Sequence, residues 1–232
     1  MSEKPTVVLL PGLDGTGRLY RPLVSALEPE ARVQVISYPS DRFLGYRELA
    51  ELVVAQAPAE AYAIVAESFS GPVAVMVGAK RPERLRGIVL STSFVVSPAP
   101  RWLHVVPTEV FFRFGAPRWL LRWLLLGSPN SGELVADVAA VVASVAPSVL
   151  AARVREVLRS NAADALRSCT VPVVYVAGRA DRLLGSRGLR PAQRVRPSVE
   201  AVTIDGPHML FQARPVESAA VIRRCLRRWF AS

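Results

Sequence analysis

Residues 63–79 read AIVAESFSGPVAVMVGA, and this stretch decides how the rest of the chain is interpreted. Its first part predicts a buried strand and its second part a helix of small residues, with Ser68 at the corner between them. A sharp turn of this kind, a nucleophile elbow, exposes the serine oxygen and needs small residues two positions before and after the serine. Here these residues are Ala66 and Ser70, so the strict G-x-S-x-G pattern is missed at both glycines. An ordinary serine at a helix N-cap is the alternative interpretation.

Short apolar runs alternate with helical segments along the remaining sequence, which predicts an α/β fold on a doubly wound, mostly parallel sheet. Roughly seventy residues separate the fourth predicted strand from the fifth, far more than one crossover helix requires. We therefore expect residues 95–167 to form a helical cap inserted into a core made of residues 1–94 and 168–232. The predicted strands are Thr6–Leu10, Val33–Ser37, Tyr62–Ala66, Gly87–Ser91, Val173–Ala177 and Val199–Ile204.

The composition excludes several classes of protein. With 232 residues, 51% of them hydrophobic, and no fixed glycine or proline period, the chain is neither disordered nor collagen-like. Cys169 and Cys225 lie far apart without C-x-x-C or histidine-rich neighbours, so neither a disulfide framework nor a zinc site is predicted. The formal net charge is +10, but the arginines of the last helix follow the polar face of an amphipathic pattern. No nucleic-acid partner is therefore predicted.

Neither the N-terminal residues nor the most apolar stretch of the sequence indicates a secreted or membrane protein. The opening residues, MSEKPTVVLL, lack the long apolar region and small-residue cleavage site of a signal peptide, which predicts a cytoplasmic protein. The most apolar long stretch, Leu134 to Ala152, contains Asp137 and Pro147, which makes it a poor membrane span. We expect it to form a helix packed on protein.

The loop after the first predicted strand, PGLDGTG at residues 11–17, supports two interpretations. Its glycines let the backbone pass close to the elbow, so that the N–H groups of Leu13 and Phe69 would form an oxyanion hole. The loop also resembles a dinucleotide phosphate loop, with Asp41 near the position of a ribose-binding acid. However, its spacing is G-x-x-G-x-G, and the chain has no Tyr-x-x-x-Lys pair. The oxyanion interpretation is favoured, and we expect no cofactor and no metal.

Two titratable residues follow the last two predicted strands, where open α/β sheets place their sites. Asp181 follows the fifth strand in VVYVAGRADRLL, and His208 follows the sixth in AVTIDGPHMLF. The other histidine, His104, lies in the predicted cap, where a packing or surface role is favoured. Ser68, Asp181 and His208 therefore occur in a chain order that one class of serine hydrolase uses. Asp205 is a second candidate acid, but its Asp-Gly-Pro context is typical of a turn.

These segments together resemble the α/β-hydrolase superfamily over nearly the whole chain, from VVLLPGLDG through AESFSG and GRADRLL to DGPHMLF. The small serine esterases, including those that hydrolyse methyl esters of acyl carriers, are the most similar members. The resemblance implies Ser68 as nucleophile, His208 as base and Asp181 as the acid that orients it, with Leu13 and Phe69 as oxyanion donors. It also implies a six-stranded sheet in the order 2-1-3-4-5-6 that lacks the N-terminal hairpin of the superfamily.

The expected reaction is hydrolysis of a carboxylic ester through an acyl-enzyme on Ser68. An acyltransferase or thioesterase on the same residues is one alternative, and a non-catalytic binding protein of this fold is another. We expect the substrate to be a small ester with an apolar acyl or alcohol group.

Aromatic residues of the predicted cap are candidates to line the substrate pocket, although the same rings would also pack the cap on the core. Arginines lie between these aromatic residues in the sequence. They would either bind an acidic carrier or cover apolar surface with their aliphatic stems. The candidate pocket residues are Trp102, Phe111, Phe112, Trp119 and Trp123, and the arginines are Arg101, Arg113, Arg118 and Arg122.

Overall fold

The sheet contains six strands in the order β2-β1-β3-β4-β5-β6, and every neighbouring pair is parallel. This arrangement comes from a computed structural model that describes residues 4–99, 122–126 and 132–231. The predicted α/β class and strand order are confirmed, and the sheet is wholly rather than mostly parallel. The strands are β1 Thr6–Leu10, β2 Arg32–Val35, β3 Tyr62–Glu67, β4 Leu85–Ser91, β5 Val173–Gly178 and β6 Glu200–Ile204.

Helices cover both faces of this sheet, as the apolar character of its central strands requires. Alternate residues of each central strand enter different cores: Val8 and Leu10 face one side, while Val7 and Leu9 face the other. The helices are α1 Arg21–Leu27, α2 Tyr46–Ala55, α3 Gly71–Ala79, α4 Gly132–Ala143, α5 Pro147–Arg159, α6 Ala163–Ser168, α7 Ser186–Val195, α8 Leu210–Ala213 and α9 Pro215–Trp229. Short 3-10 turns lie at Arg18–Tyr20 and Ser68–Ser70, and a π-helical turn at Arg122–Leu126.

The long apolar stretch around residue 140 forms two helices instead of one. Pro147 occupies the first turn of α5, where its missing N–H costs nothing, and it therefore begins a new helix. Among the described residues, no single helix has the length and apolarity to cross a membrane. Of the helices that the structure describes, α4 and α5 taken together reach that length and composition, and they are bent by 100° at their junction.

The predicted cap is described only in part. Of its candidate pocket residues, Trp123 is described, whereas Trp102, Phe111, Phe112 and Trp119 lie outside the described residues, as does His104. At its other end, Leu166 of α6 is fully buried in the same core cluster as the sheet. The division into a core and a cap stays a prediction.

Candidate active site

Ser68 lies at the end of β3 in a backbone conformation that non-glycine residues rarely adopt. Its φ is 47°, a left-handed value that costs on the order of 1–3 kcal/mol. Neighbouring groups hold this conformation, since the Ser68 carbonyl accepts hydrogen bonds from Ser93 Oγ, at 2.5 Å, and from the Gly71 N–H. The Ser68 side chain is half-buried.

Two small residues after Ser68 let the elbow pack tightly, each for a different reason. A Cβ added to Gly71 would lie 2.0 Å from Ser93 Oγ and 2.6 Å from the Phe94 carbonyl oxygen, so only glycine fits there. Ser70, at a position where glycine is customary, is fully buried. Its hydroxyl bonds to Tyr38 OH, at 2.7 Å, and donates to the Pro11 carbonyl. The extra hydroxyl therefore connects the elbow to the loop after β1.

A continuous line of hydrogen bonds runs from Ser68 to Asp181. Ser68 Oγ lies 2.9 Å from His208 Nε2, and His208 Nδ1 lies 3.1 Å from Asp181 Oδ1. Because a carboxylate only accepts hydrogen bonds, the proton belongs on Nδ1, and Nε2 is left as an acceptor for the serine hydroxyl. The structure thus brings together the three residues that the sequence singled out.

The environment of Asp181 keeps it ionised. Burial alone raises the pKa of this carboxyl, but the hydrogen bond and charge of His208 and the N–H groups of Leu184 and Leu183 outweigh it, so the pKa falls below its usual value. Those two N–H groups donate to Asp181 Oδ1 at 3.0 and 2.9 Å. Asp205, the rival acid, has an exposed side chain, and its carbonyl accepts a hydrogen bond from the Arg214 side chain.

The end of β4 supports both reacting side chains from behind. Thr92 Oγ1 donates to the His208 carbonyl at 2.7 Å, while the neighbouring Ser93 side chain bonds the Ser68 carbonyl. Tyr175 OH donates in turn to the Ser93 carbonyl at 2.7 Å. Residues 92 and 93 thus fix the main chain of the serine and the histidine relative to each other. The sequence reasoning missed them, because nothing in their local pattern distinguishes them from other strand-end hydroxyls.

The loop after β1 is held by its carbonyl oxygens. Each carbonyl from residue 11 to residue 16 accepts a hydrogen bond. Ser70 Oγ donates to the carbonyl of residue 11, Gly15 N to that of residue 12, and Arg153 Nη1 to those of residues 13 and 14. Tyr38 N donates to the carbonyl of residue 15 and Ser37 Oγ to that of residue 16. The Leu13 N–H, in contrast, donates to no acceptor in the part of the chain that the structure describes. The arrangement suits a loop that keeps an N–H group for a ligand.

A buried carboxyl, Glu67, stands directly before Ser68 and was not singled out by the sequence reasoning. Burial raises its pKa to about 7, although the hydrogen bond from Gln212 and the charge of His208 act in the opposite direction. Gln212 Nε2 donates to Glu67 Oε2 at 3.1 Å, whereas Oε1 has no partner among the described residues. An acid as the last residue of an otherwise apolar strand was the available signal.

Trp123 is the described member of the predicted substrate pocket, and it is 53% exposed. The Arg182 guanidinium lies 5.1 Å from the centre of its ring and donates to its carbonyl. Two residues later, the Leu125 carbonyl accepts a hydrogen bond from Met209 N at 3.0 Å. The π-helical turn at residues 122–126 therefore contacts the residues that follow both Asp181 and His208.

Within the described ranges, no group of histidine, cysteine, aspartate or glutamate side chains is arranged to hold a metal ion.

Comparisons with known proteins agree with the fold and with the predicted enzyme class. No protein-family model matches the chain. The pimeloyl-[acyl-carrier protein] methyl ester esterase of Xanthomonas campestris pv. campestris (strain B100) is 26% identical over 222 residues, which cover 87% of each chain. The protein of the same name from Xanthomonas oryzae pv. oryzae (strain MAFF 311018) is 26% identical over 229 residues, again 87% of each chain. These relatives are carboxylic ester hydrolases, the enzyme class that the sequence predicted.

Solved structures extend the comparison at lower identity. A thermophilic esterase from Thermogutta terrifontis superimposes with a TM-score of 0.80 at 20% identity, covering 97% of this chain and 90% of the other. A bromoperoxidase from Bacillus anthracis gives a TM-score of 0.80 at 13% identity, covering 97% and 92%. Because an esterase and a bromoperoxidase share this scaffold, structural similarity to them indicates the fold and not the reaction. The chain therefore has the α/β-hydrolase fold and is similar, over most of its length, to esterases of that superfamily.

Proposed function

We propose that this chain is a serine hydrolase that cleaves carboxylic esters, with Ser68 as nucleophile, His208 as general base and Asp181 as the acid that orients the histidine. The observation that carries the proposal is the 2.9 Å separation of Ser68 Oγ and His208 Nε2 at a left-handed backbone turn. A serine that only caps a helix needs neither the strained turn nor an imidazole partner.

The reaction follows from the positions of these groups. Ser68 Oγ attacks the ester carbonyl carbon while His208 Nε2 takes the hydroxyl proton, and the carbonyl electron pair moves to oxygen. The N–H groups of Leu13 and Phe69 stabilise that oxyanion. Its collapse expels the alcohol, which receives the proton from His208 and leaves the acyl group on Ser68. Water then adds to the acyl carbon as His208 takes its proton, and the bond from that carbon to Ser68 Oγ breaks. The carboxylic acid leaves, and Ser68 Oγ receives the proton from His208.

The substrate class proposed is a small ester with an apolar acyl or alcohol group, and Trp123 is proposed to line its site. An acidic carrier bearing that ester is a second candidate, because the curated relatives are named for a methyl ester on an acyl carrier protein. Exposed arginines close to Asp181 in the sequence also favour a negatively charged partner. They are Arg179, Arg182, Arg187 and Arg190. The cytoplasmic location predicted from the sequence belongs to this proposal.

Turnover of p-nitrophenyl esters of increasing chain length, by the wild type and by Ser68→Ala, tests the reaction. We expect the wild type to hydrolyse them and the variant to lose roughly 10⁴-fold or more in rate. Undiminished turnover by Ser68→Ala would show that the mechanism is wrong. Adding an alcohol or thiol acceptor separates hydrolysis from acyl transfer, since a transferase would form the new ester or thioester in preference to the acid.

The carrier is tested with one methyl ester offered free and on an acyl carrier protein. Attraction between exposed charges weakens as salt rises. If the carrier is the partner, kcat/KM for the carrier-bound ester should decrease as the salt concentration is raised, while kcat/KM for the free ester stays constant. Equal salt dependence for the two substrates would remove the carrier from the proposal.

A further inference from the structure

Helix α5 contributes one fully buried arginine to the neighbourhood of the candidate site. Arg153 is 1% exposed and is the only buried arginine among the described residues. Within the described residues, its guanidinium bonds main-chain carbonyls and no carboxylate: Nη1 donates to the carbonyls of Leu13, at 3.0 Å, and Asp14, at 2.6 Å, and Nη2 to the Pro39 carbonyl, at 2.8 Å. Burying a cation is costly unless it is paired and hydrogen-bonded. A buried arginine whose described hydrogen bonds all go to main-chain carbonyls therefore calls for an explanation.

The loop that receives Arg153 is shaped around it. Gly15 has a φ of 74°, and a Cβ at that position would lie 2.5 Å from Arg153 Nη1. A side chain there would meet both an unfavourable backbone conformation and the guanidinium. The glycine therefore lets the loop turn and leaves room for the arginine.

The hydrogen bonds connect the guanidinium to the Leu13 N–H through rigid peptide planes. Arg153 holds the Asp14 carbonyl, and the other end of that planar peptide is the Gly15 N–H. The Gly15 N–H donates to the Gly12 carbonyl at 3.0 Å, and the other end of that second peptide is the Leu13 N–H. Fixing the Asp14 carbonyl therefore fixes the direction of the Leu13 N–H.

The same guanidinium also contacts the elbow. Its central carbon lies 5.9 Å from the ring centre of Phe69, whose N–H is the second proposed oxyanion donor, and 5.9 Å from that of Tyr38. Tyr38 OH bonds to Ser70 Oγ in the elbow. Arg153 thus touches both segments that carry the proposed donors.

We infer that Arg153 is a positioning residue for the oxyanion hole, acting from α5 through the carbonyls of the loop after β1 and through the Phe69 ring. The inference rests on the proposed function, since it concerns the same site. Arg153 has no contact with the reacting atoms in this account; it sets the direction of the N–H groups that bind the oxyanion. Displacing such donors by about 1 Å is expected to cost roughly 10²-fold in kcat.

The test uses Arg153→Met and Arg153→Lys in the full chain, with Arg159→Met, an exposed arginine of the same helix, as the matched control. We expect Arg153→Met to lower kcat for a short p-nitrophenyl ester roughly 10²-fold, with KM nearly unchanged. Arg153→Lys should lie in between, because it keeps the charge but cannot reach three carbonyls. Arg159→Met should match the wild type.

The affinities of two matched inhibitors distinguish a positioning role of Arg153 from a merely structural one. A trifluoromethyl ketone gains a negatively charged oxygen when Ser68 adds to it, whereas the matched secondary alcohol binds without one. In Arg153→Met, affinity for the ketone should fall by the same factor as kcat, and affinity for the alcohol should not change. Millimolar guanidinium should restore part of the lost rate in Arg153→Ala and none in Ser68→Ala.

The inference is overturned if Arg153→Met keeps the wild-type kcat, or if the ketone and the alcohol lose affinity equally. Should Arg153→Met fail to fold by circular dichroism, Arg153→Lys and the guanidinium experiment decide. If none of the variants folds, the arginine serves the fold and the inference fails. Ser68→Ala separates this outcome from the proposed function: an active Ser68→Ala refutes the reaction, whereas an inactive one beside unaffected Arg153 variants refutes only the role of Arg153.

Discussion

The loops at the carboxyl edge of the sheet and the described segments between β4 and β5 approach the same site in different ways. The edge loops hold Ser68, Asp181 and His208 by short contacts with neighbouring main chain, such as the N–H groups on Asp181 and the Thr92 hydroxyl on the His208 carbonyl. The segments at residues 122–126 and in α5 reach the site through long side chains, chiefly Arg153 and Trp123, whose ring lies against Arg182 of the loop after β5. Under the proposed function, the edge carries the chemistry, and the segments between β4 and β5 serve positioning and selection.

If the edge carries the chemistry, neutralising its acid should cost nearly as much as removing the nucleophile. Asp181→Asn cannot hold the His208 tautomer that leaves Nε2 free, and we expect a loss of roughly 10⁴-fold in kcat with the fold intact. Asp205→Asn is the matched control, since its side chain is exposed, and should cost far less. Rates measured beside circular dichroism decide, and a crippled Asp205→Asn beside a nearly normal Asp181→Asn would reverse the assignment.

A second test concerns the buried acid beside the nucleophile. Because burial raises the pKa of Glu67 from 4.5 to about 7, the native state holds a proton that the unfolded chain releases. Its contribution is therefore present below pH 4.5 and is lost as pH rises through about 7. The linked loss is at most about 3 kcal/mol.

Glu67→Gln cannot ionise, and its amide oxygen still accepts from Gln212. We expect urea unfolding to show a gain in free energy of unfolding, relative to wild type, that grows between pH 5 and pH 8 by an amount on the order of 2–3 kcal/mol. Glu83→Gln, an exposed glutamate, should show no such trend. A constant difference between Glu67→Gln and wild type across this range would mean that Glu67 does not carry the extra proton.

The smallest effect is expected in the segment at residues 122–126. Trp123 is half exposed, so Trp123→Ala should change stability little, yet shift the preference for long over short acyl chains by up to about tenfold. Val216→Ala, an exposed apolar residue of α9, should leave that preference unchanged. Equal losses on every chain length would indicate that Trp123 packs the segment onto the core instead of contacting substrate.

The sequence allowed much of the edge to be predicted and little of the segments between β4 and β5. Alternating apolar strands and helices have local periods, so the α/β class followed from the pattern, and the ends of the predicted strands pointed to Ser68 and His208. The strand order came from the resemblance to the α/β-hydrolase superfamily. The contacts of Arg153, Ser70 and Glu67 depend on partners that are distant in sequence, and no local pattern signals them. The apolar run near residue 140 was expected as one helix, and Pro147 made it two.

The proposed reaction requires above all that Ser68 is a nucleophile activated by His208. The most direct measurement is covalent labelling by a fluorophosphonate, followed by mass spectrometry of the intact chain and its peptides. We predict a single adduct on the peptide that contains Ser68, none in Ser68→Ala, and labelling slowed by roughly 10²- to 10⁴-fold in His208→Ala. An adduct on any other residue, or a labelling rate in His208→Ala equal to that of the wild type, would contradict the account.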